Sequence, residues 1–310
     1  MTGAPTIFDR ELMLRRRNRH AATAASHDFL LQRVADDFAE RLAIVRREFP
    51  VAASVGAYHG VVSEQLRCVT SIGSIVDVEA APALLAMCGA RAIGADDEHL
   101  PFAEASLDLA VSGLSLQFVN DIPGVLAQLR RALKPDGLLL AALLGGETLK
   151  ELREAWLIAE EEVCGGASPR VAPFGDVREL GALLQRAGFA LPVADSDVVR
   201  VTYATPLALM HELRAMAASN MLVERRRVPV TRRLLMRAAE VYAERFALPD
   251  GRIPATFEII TLTAWVPHES QQKPLAPGSA KMRLADALGV PERATGDKAS
   301  VSSKDRAAKE

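Results

Sequence analysis

The stretch "VAASVGAYHGVVSEQL", Val51 to Leu66, decides the fold. It reads as a short apolar strand, a tight turn containing glycine, and the opening of a helix. An α/β protein uses this succession to aim backbone N–H groups and a helix N-terminus at a nucleotide. The turn departs from the usual fingerprint at two places. Ser54 stands at the strand end in place of an acid, and Tyr58 stands mid-loop in place of a glycine.

Working outward, strand-like and helix-like segments alternate. Before the stretch, residues 1–50 are helical and basic at their start. After it, a helix is expected over Val61–Val69, a strand over Ser74–Val78, a short helix over Ala81–Cys88 and a weak strand over Arg91–Ala95. Leu107–Leu114 is a fourth strand, and a helix follows from Ile122 to Lys134. "KPDG", Lys134 to Gly137, carries the proline and glycine chemistry of a turn. Leu138–Leu144 is then continuously apolar, as a buried parallel strand is. Helices over Thr148–Val163 and Asp176–Ala187 follow, the second capped by Asp176 and stopped by Gly188. Val198–Tyr203 and Thr256–Val266 complete the strands. Such alternation predicts a doubly wound, mostly parallel sheet of seven strands. Residues 206–247 interrupt it with two helices, a predicted cap over the sheet edge where ligands bind.

Composition narrows the class. The chain has 310 residues, 49% apolar and 25% charged, a globular balance with room for one large core. A net charge of −2 gives no global pull toward nucleic acid. Cys68, Cys88 and Cys164 are too scattered for a zinc site and suit buried thiols in a reducing compartment. No run of about 18 apolar residues exists to span a membrane. The N-terminus has arginines without an apolar core, so it does not read as a secretory signal. The expectation is a cytoplasmic protein.

Four pieces stand in the order that a class I S-adenosylmethionine-dependent methyltransferase uses. "SVGAYHG" follows the first strand, and Asp77 ends the second, where a carboxylate accepts ribose hydroxyls. "GADDEHLPF", Gly94–Phe102, places Asp96 and Asp97 after the third strand, where an acid meets adenine. "LDLAVSGLSLQFVNDIPGVL" and "LRRALKPDGLLLAAL" complete the set. The segments "IFDRELMLRRRNRHAA", "LSLQFVND", "LKPDGLLLAALLGGETLKELR", "SPRVAPF", "LLQRAGF", "GRIPATFEIITLTAW" and "HESQQKP" resemble the respiratory complex I assembly factor five family over Ile7 to Gly289. That family is methyltransferase-like, and its mitochondrial member is an arginine hydroxylase. The chain is also similar, more distantly, to the malonyl-carrier-protein methyltransferase of biotin synthesis.

The resemblance implies a Rossmann-like class I methyltransferase fold, S-adenosylmethionine as cofactor, and a protein substrate, a complex I subunit. It implies cofactor contacts at Ser54, Gly56, Tyr58, Gly60, Asp77, Asp96 and Asp97. Family members place D-L-G-C-G-x-G here, so Ser54 removes a charge and Tyr58 adds a ring beside the methionine portion. Weakened cofactor binding is therefore expected. The expected division is a helical extension over 1–50, a methyltransferase-like core over 51–205, a cap over 206–250, a returning segment over 251–290 and a disordered tail over 291–310.

Gln117 follows the fourth strand, where the family commonly has histidine and the biotin enzyme glutamine. A neutral amide orients a substrate but is no general base. Asn120 and Asp121 read as the cap of the next helix. His59 and His99, with Asp96, Asp97 and Glu98, lack a metal-ligand signature. Trp156 and Trp265 read as core or pocket-edge residues. Two arginine clusters remain, Arg15–Arg17 with Arg19, and Arg225, Arg226 and Arg227 with Arg232 and Arg233. Each reads as a solvated face, or as a dock for an acidic partner or an anionic membrane surface, which would make the chain peripheral at the inner membrane. The rival readings are a non-enzymatic assembly chaperone with a degenerate cofactor loop and a small-molecule carboxyl methyltransferase.

Overall fold

The computed structural model describes residues 6–272, 282 and 284–291. Contacts divide the chain into one compact unit, Met1–Glu269, and a second, Ser270–Glu310, in which the described helix is Leu284–Leu288. Most of the expected tail lies outside the described residues.

The first unit opens with helices α1 (Arg10–His20) and α2 (Phe29–Ile44), followed by strand β1 (Phe49–Val55). Then come α3 (Val61–Leu66), β2 (Ile72–Val78), α4 (Pro82–Leu85), β3 (Ala92–Ile93), β4 (Leu107–Gly113), α5 (Ile122–Ala132) and β5 (Leu133–Leu144). The second half holds α6 (Lys150–Cys164), α7 (Val177–Arg186), β6 (Ala190–Tyr203), α8 (Pro206–Ala215), α9 (Arg232–Phe246) and β7 (Ile253–Trp265).

The seven strands lie in the order β3-β2-β1-β4-β5-β7-β6. The first five are parallel, and β7 is antiparallel to both its neighbours. Successive side chains of a strand point to opposite faces, and β5 shows it directly. Leu138, Leu140 and Ala142 join the core beneath α2, α6 and α9, whereas Leu139, Ala141 and Leu143 join the core beneath α5 and α7. Burial on both faces is what made this strand continuously apolar.

Two expectations change in detail. "KPDG" is no free turn but an irregularity inside β5, where pairing with β4 jumps from Leu107↔Leu133 to Leu109↔Leu138. Pro135 cannot donate to a ladder, and Asp136 at φ 64 turns the chain there. The N-terminal residues are also not a separate appendage. Leu30, Val34, Phe38 and Leu42 of α2 sit in the main core, so α2 is one of the layers covering the sheet.

Between β6 and β7 the chain forms two helices, α8 and α9. β6 ends at Tyr203, which pairs with Ile253 at the start of β7, so α8 and α9 leave and return at one end of the sheet. On α9, Leu234, Ala238, Val241 and Tyr242 are buried at helical spacing. Arg232 and Arg233 face outward, as the pattern predicted.

Candidate functional site

The loops after β1, β2, β3 and β4 meet at the carboxyl edge of the sheet, the usual ligand position of such folds. Gly56 has φ +65, and a Cβ there would fall 2.2 Å from the Cβ of Ser115. Gly60, at φ +88, is the N-cap of α3. Both glycines are needed for their backbone. Tyr58 adopts φ 58 without that freedom. Its strain, of order 1–3 kcal/mol, is held by two contacts. Its N–H donates to Glu79 Oε2 at 2.9 Å, and its hydroxyl donates to the Met216 carbonyl at 2.5 Å. The ring thus bridges the loop and the end of α8, and burial raises the phenol above its ordinary pKa.

The carboxylate that meets this loop is Glu79, one residue beyond β2, and not Asp77. Asp77 lies inside the strand, where it accepts from Arg67 at 3.0 Å and from the Gly89 N–H at 3.4 Å. Glu79 is fully buried and accepts from the N–H groups of Tyr58 and Ala81. Across from it stands Arg17 of α1, only 3% exposed, with Nη1 3.5 Å from Glu79 Oε1. Arg17 Nη2 donates to Ser115 Oγ at 3.3 Å, and its guanidinium lies over the Tyr58 ring, 5.2 Å from the centroid. Burial raises the Glu79 pKa. Burial alone would lower that of Arg17, but the carboxylates of Glu79 and Asp97 outweigh it and keep the guanidinium charged.

The remaining expected residues distribute as follows. Ser54 is buried within β1, between Asp77 of β2 and Val111 of β4 in the ladder. Asp96 accepts from Arg10 at 2.6 Å. Asp97 is buried and accepts from Ser115 Oγ at 2.6 Å, while its Oδ1 has no partner. Gln117 donates to the Leu114 carbonyl at 2.8 Å, and its buried Oε1 also lacks a partner. Asp121 caps α5 by accepting from the Gly124 N–H, as expected. Asn120 does something else: its Oδ1 accepts from the N–H groups of Ile7 and Phe8, fastening the start of α1. His59 pairs with Asp28 at 2.9 Å, and His99 is exposed. Among the described residues no group of three or more His, Cys, Asp or Glu side chains converges.

The arginine clusters are more divided than a solvated face. On α1, Arg15 and Arg19 are exposed while Arg17 is buried, because Met13 and Arg17 share the inward face at i, i+4. In the second cluster Arg225 is tied to Asp9 at 2.9 Å, and Arg226 and Arg227 are exposed. Phe8 bridges Leu222, and the Asp9 N–H donates to the Met221 carbonyl, so α1 lies strapped across the edge. Sequence reasoning missed Arg17 and Glu79. Their signals were the inward spacing on α1 and an acid placed just before the Pro82 helix start.

Two adjoining cavities open here. The smaller, about 80 Å³, is lined by Arg17, Asp28, Tyr58 and Gln117 among others. The larger, about 510 Å³, lies under the cap and shares Phe118, Leu144 and Met216 with the first.

Residues 53–141 match the family model described as a methyltransferase domain. The arginine-hydroxylase NDUFAF5, mitochondrial, of Danio rerio is 36% identical over 90% of this chain and 89% of its own length. A malonyl-[acyl-carrier protein] O-methyltransferase of Halorhodospira halophila is 35% identical over 85% of this chain and 90% of its own length. The solved structure of the YcgJ protein of Bacillus subtilis superposes with a TM-score of 0.52 at 13% identity, covering 76% of this chain and 98% of that one. The strand order and the loops at its carboxyl edge are thus those of a Rossmann-like class I methyltransferase fold, and the chain belongs to the arginine-hydroxylase NDUFAF5 family.

Proposed function

We propose that the chain is an enzyme of the methyltransferase class that binds S-adenosylmethionine at the β1–β2 edge and acts on an arginine side chain of a protein, a complex I subunit. The observation that carries this reading is Glu79, a buried carboxylate just past β2, aimed at the glycine turn. That is the position from which an acid accepts ribose hydroxyls.

The donor set suits the cofactor. Glu79 would hold the ribose, Asp96 and Asp97 the adenine side, and the charged Arg17 the methionine carboxylate. Buried Asp97 Oδ1, without a partner, is an acceptor awaiting a donor. Gly56 lets the turn pack closely against Ser115 and Asp97. When bound, the cofactor supplies a methyl group on a sulfonium centre. The chain's own part is to hold the reactants in line and exclude water, the latter by strapping α1 over the edge. Gln117 Oε1 is a neutral acceptor suited to a guanidinium N–H, and Asp28 adds a carboxylate to the same cavity. Tyr58 narrows the berth, so affinity is reduced relative to a chain with glycine there.

Calorimetric titration of the purified protein with S-adenosylmethionine tests the reading. Saturable heat that falls at least tenfold on Glu79→Gln, with Asp121→Ala unchanged, supports it. No heat and no thermal shift at millimolar ligand leaves the scaffold reading, which the Tyr58 ring, held toward Met216 beside the berth, favours. The exposed Arg226 and Arg227 are offered to an acidic partner at the inner membrane surface. Pull-down of complex I subunits by the native protein but not by the Arg226→Ser, Arg227→Ser variant supports that docking, and equal recovery removes it.

A further inference from the structure

The larger cavity is walled by apolar side chains, including Leu152, Trp156, Phe174, Met210, Leu235 and Phe257. Two of the polar side chains that reach it are already engaged elsewhere. Arg170 pairs with the buried Glu160 and lies 4.7 Å over the Trp156 ring. Asn220 donates to the Pro169 carbonyl at 2.7 Å and accepts from the Leu222 N–H at 3.1 Å. Arg214 differs. It lines the cavity, is exposed, and has no ion-pair partner among the described residues. Arg16 and His20 are near enough to feel its charge. Glu212, two residues before it in the chain, pairs with His27.

A walled apolar space of about 510 Å³ is of ligand size. A peptide backbone entering it would leave N–H and C=O groups without partners, at a cost of some kcal/mol each, roughly 2–7 by transfer data. An unbranched alkyl chain carries no such groups, and a single anion at its end meets Arg214, the arginine of the described lining without an ion-pair partner. We propose that this cavity binds a single-chain anionic amphiphile, its alkyl chain under the cap and its carboxylate or phosphate on Arg214. The proposal does not rest on cofactor binding or on any reaction.

The test uses the full chain carrying Trp265→Phe, so that Trp156 in the cavity wall is the one remaining indole of the two in the sequence. Dodecanoate, dodecyl phosphate, dodecanol and dodecyltrimethylammonium are titrated below their micellar concentrations. Saturable fluorescence changes are expected with the anions, and affinity should rise about fourfold per methylene from eight to twelve carbons. Arg214→Gln should weaken the anions at least fivefold and leave dodecanol unchanged. Added salt should do the same. A carboxylate-selective response identifies a fatty-acid type ligand, and a phosphate-selective one a lysophospholipid type. Equal binding of the cationic amphiphile, or no saturable response to either anion, overturns the proposal. So does an Arg214→Gln variant with native melting and native anion affinity.

Discussion

Arg17 and Glu79 face one another at 3.5 Å, from segments sixty-two positions apart, in a place closed to water. Breaking a buried pair from one side leaves an uncompensated charge and typically costs about 3–5 kcal/mol. Arg17→Met should therefore destabilise the protein by about that amount in denaturant unfolding. Glu79→Gln added to it should recover part of the loss, giving a coupling energy above about 1 kcal/mol in the double-mutant cycle. Strict additivity would mean that the two groups do not sense each other.

Gly56→Ala should be among the most damaging small substitutions in the chain. The new Cβ would meet Ser115 Cβ at 2.2 Å on a backbone at φ +65. Overpacking and a left-handed non-glycine residue each cost of order 1–3 kcal/mol. Melting should fall by several degrees, whereas Gly165→Ala, with nothing within 4 Å, should lose only the strain of its φ +68. Equal melting shifts would refute the close approach at Ser115.

Tyr58→Gly should tighten S-adenosylmethionine binding by about tenfold, because it removes the ring and relieves the positive φ. Tyr58→Phe should leave the affinity unchanged and cost about 1 kcal/mol of stability through the lost hydrogen bond to Met216. Calorimetry and urea unfolding read the two effects separately. Weaker binding in the glycine variant would show that the ring is part of the ligand site.

Cys88 should resist alkylation. Burial, and then the carboxylates of Asp77 and Glu79, push its thiol up to about 12. At pH 8 only about one molecule in ten thousand carries the reactive thiolate. The folded state holds that proton more tightly than the unfolded one, so stability falls as pH rises from the ordinary thiol value of 9.0 toward about 12. Iodoacetamide at pH 8 should label Cys68 and Cys164, both exposed, and spare Cys88 until denaturant is added. Native labelling of Cys88 would show that the Tyr58 loop opens, since Cys88 Sγ packs 3.4 Å from the Tyr58 carbonyl.

The architecture was legible because period and punctuation agree locally. β5 announced itself by apolar continuity, and α7 by Asp176 before it and Gly188 after it; the structure adds Glu179, which completes a capping box with Asp176. What the sequence hid depends on partners far along the chain. Asp77 and Glu79 are two residues apart and both carry carboxyl groups, and only the end of β2 at Val78 decides which one meets the loop. Arg17 sits in a run of arginines, and only the packing of α1 distinguishes it from Arg15 and Arg19. Asn120 looked like half of a helix cap until Ile7 and Phe8 took its side chain. Arg225 looked free until Asp9 claimed it.

The strap across the sheet edge has a bearing on how the molecule comes into being. Phe8 and Asp9 are anchored by Leu222, Met221 and Arg225, more than two hundred positions downstream. During translation Glu79, Asp96 and Asn120, which hold Arg17, Arg10 and the backbone of Ile7 and Phe8, emerge long before those anchors, so the strap gains its last ties late in synthesis. Full closure of the strap waits for the last third of the polypeptide to leave the ribosome.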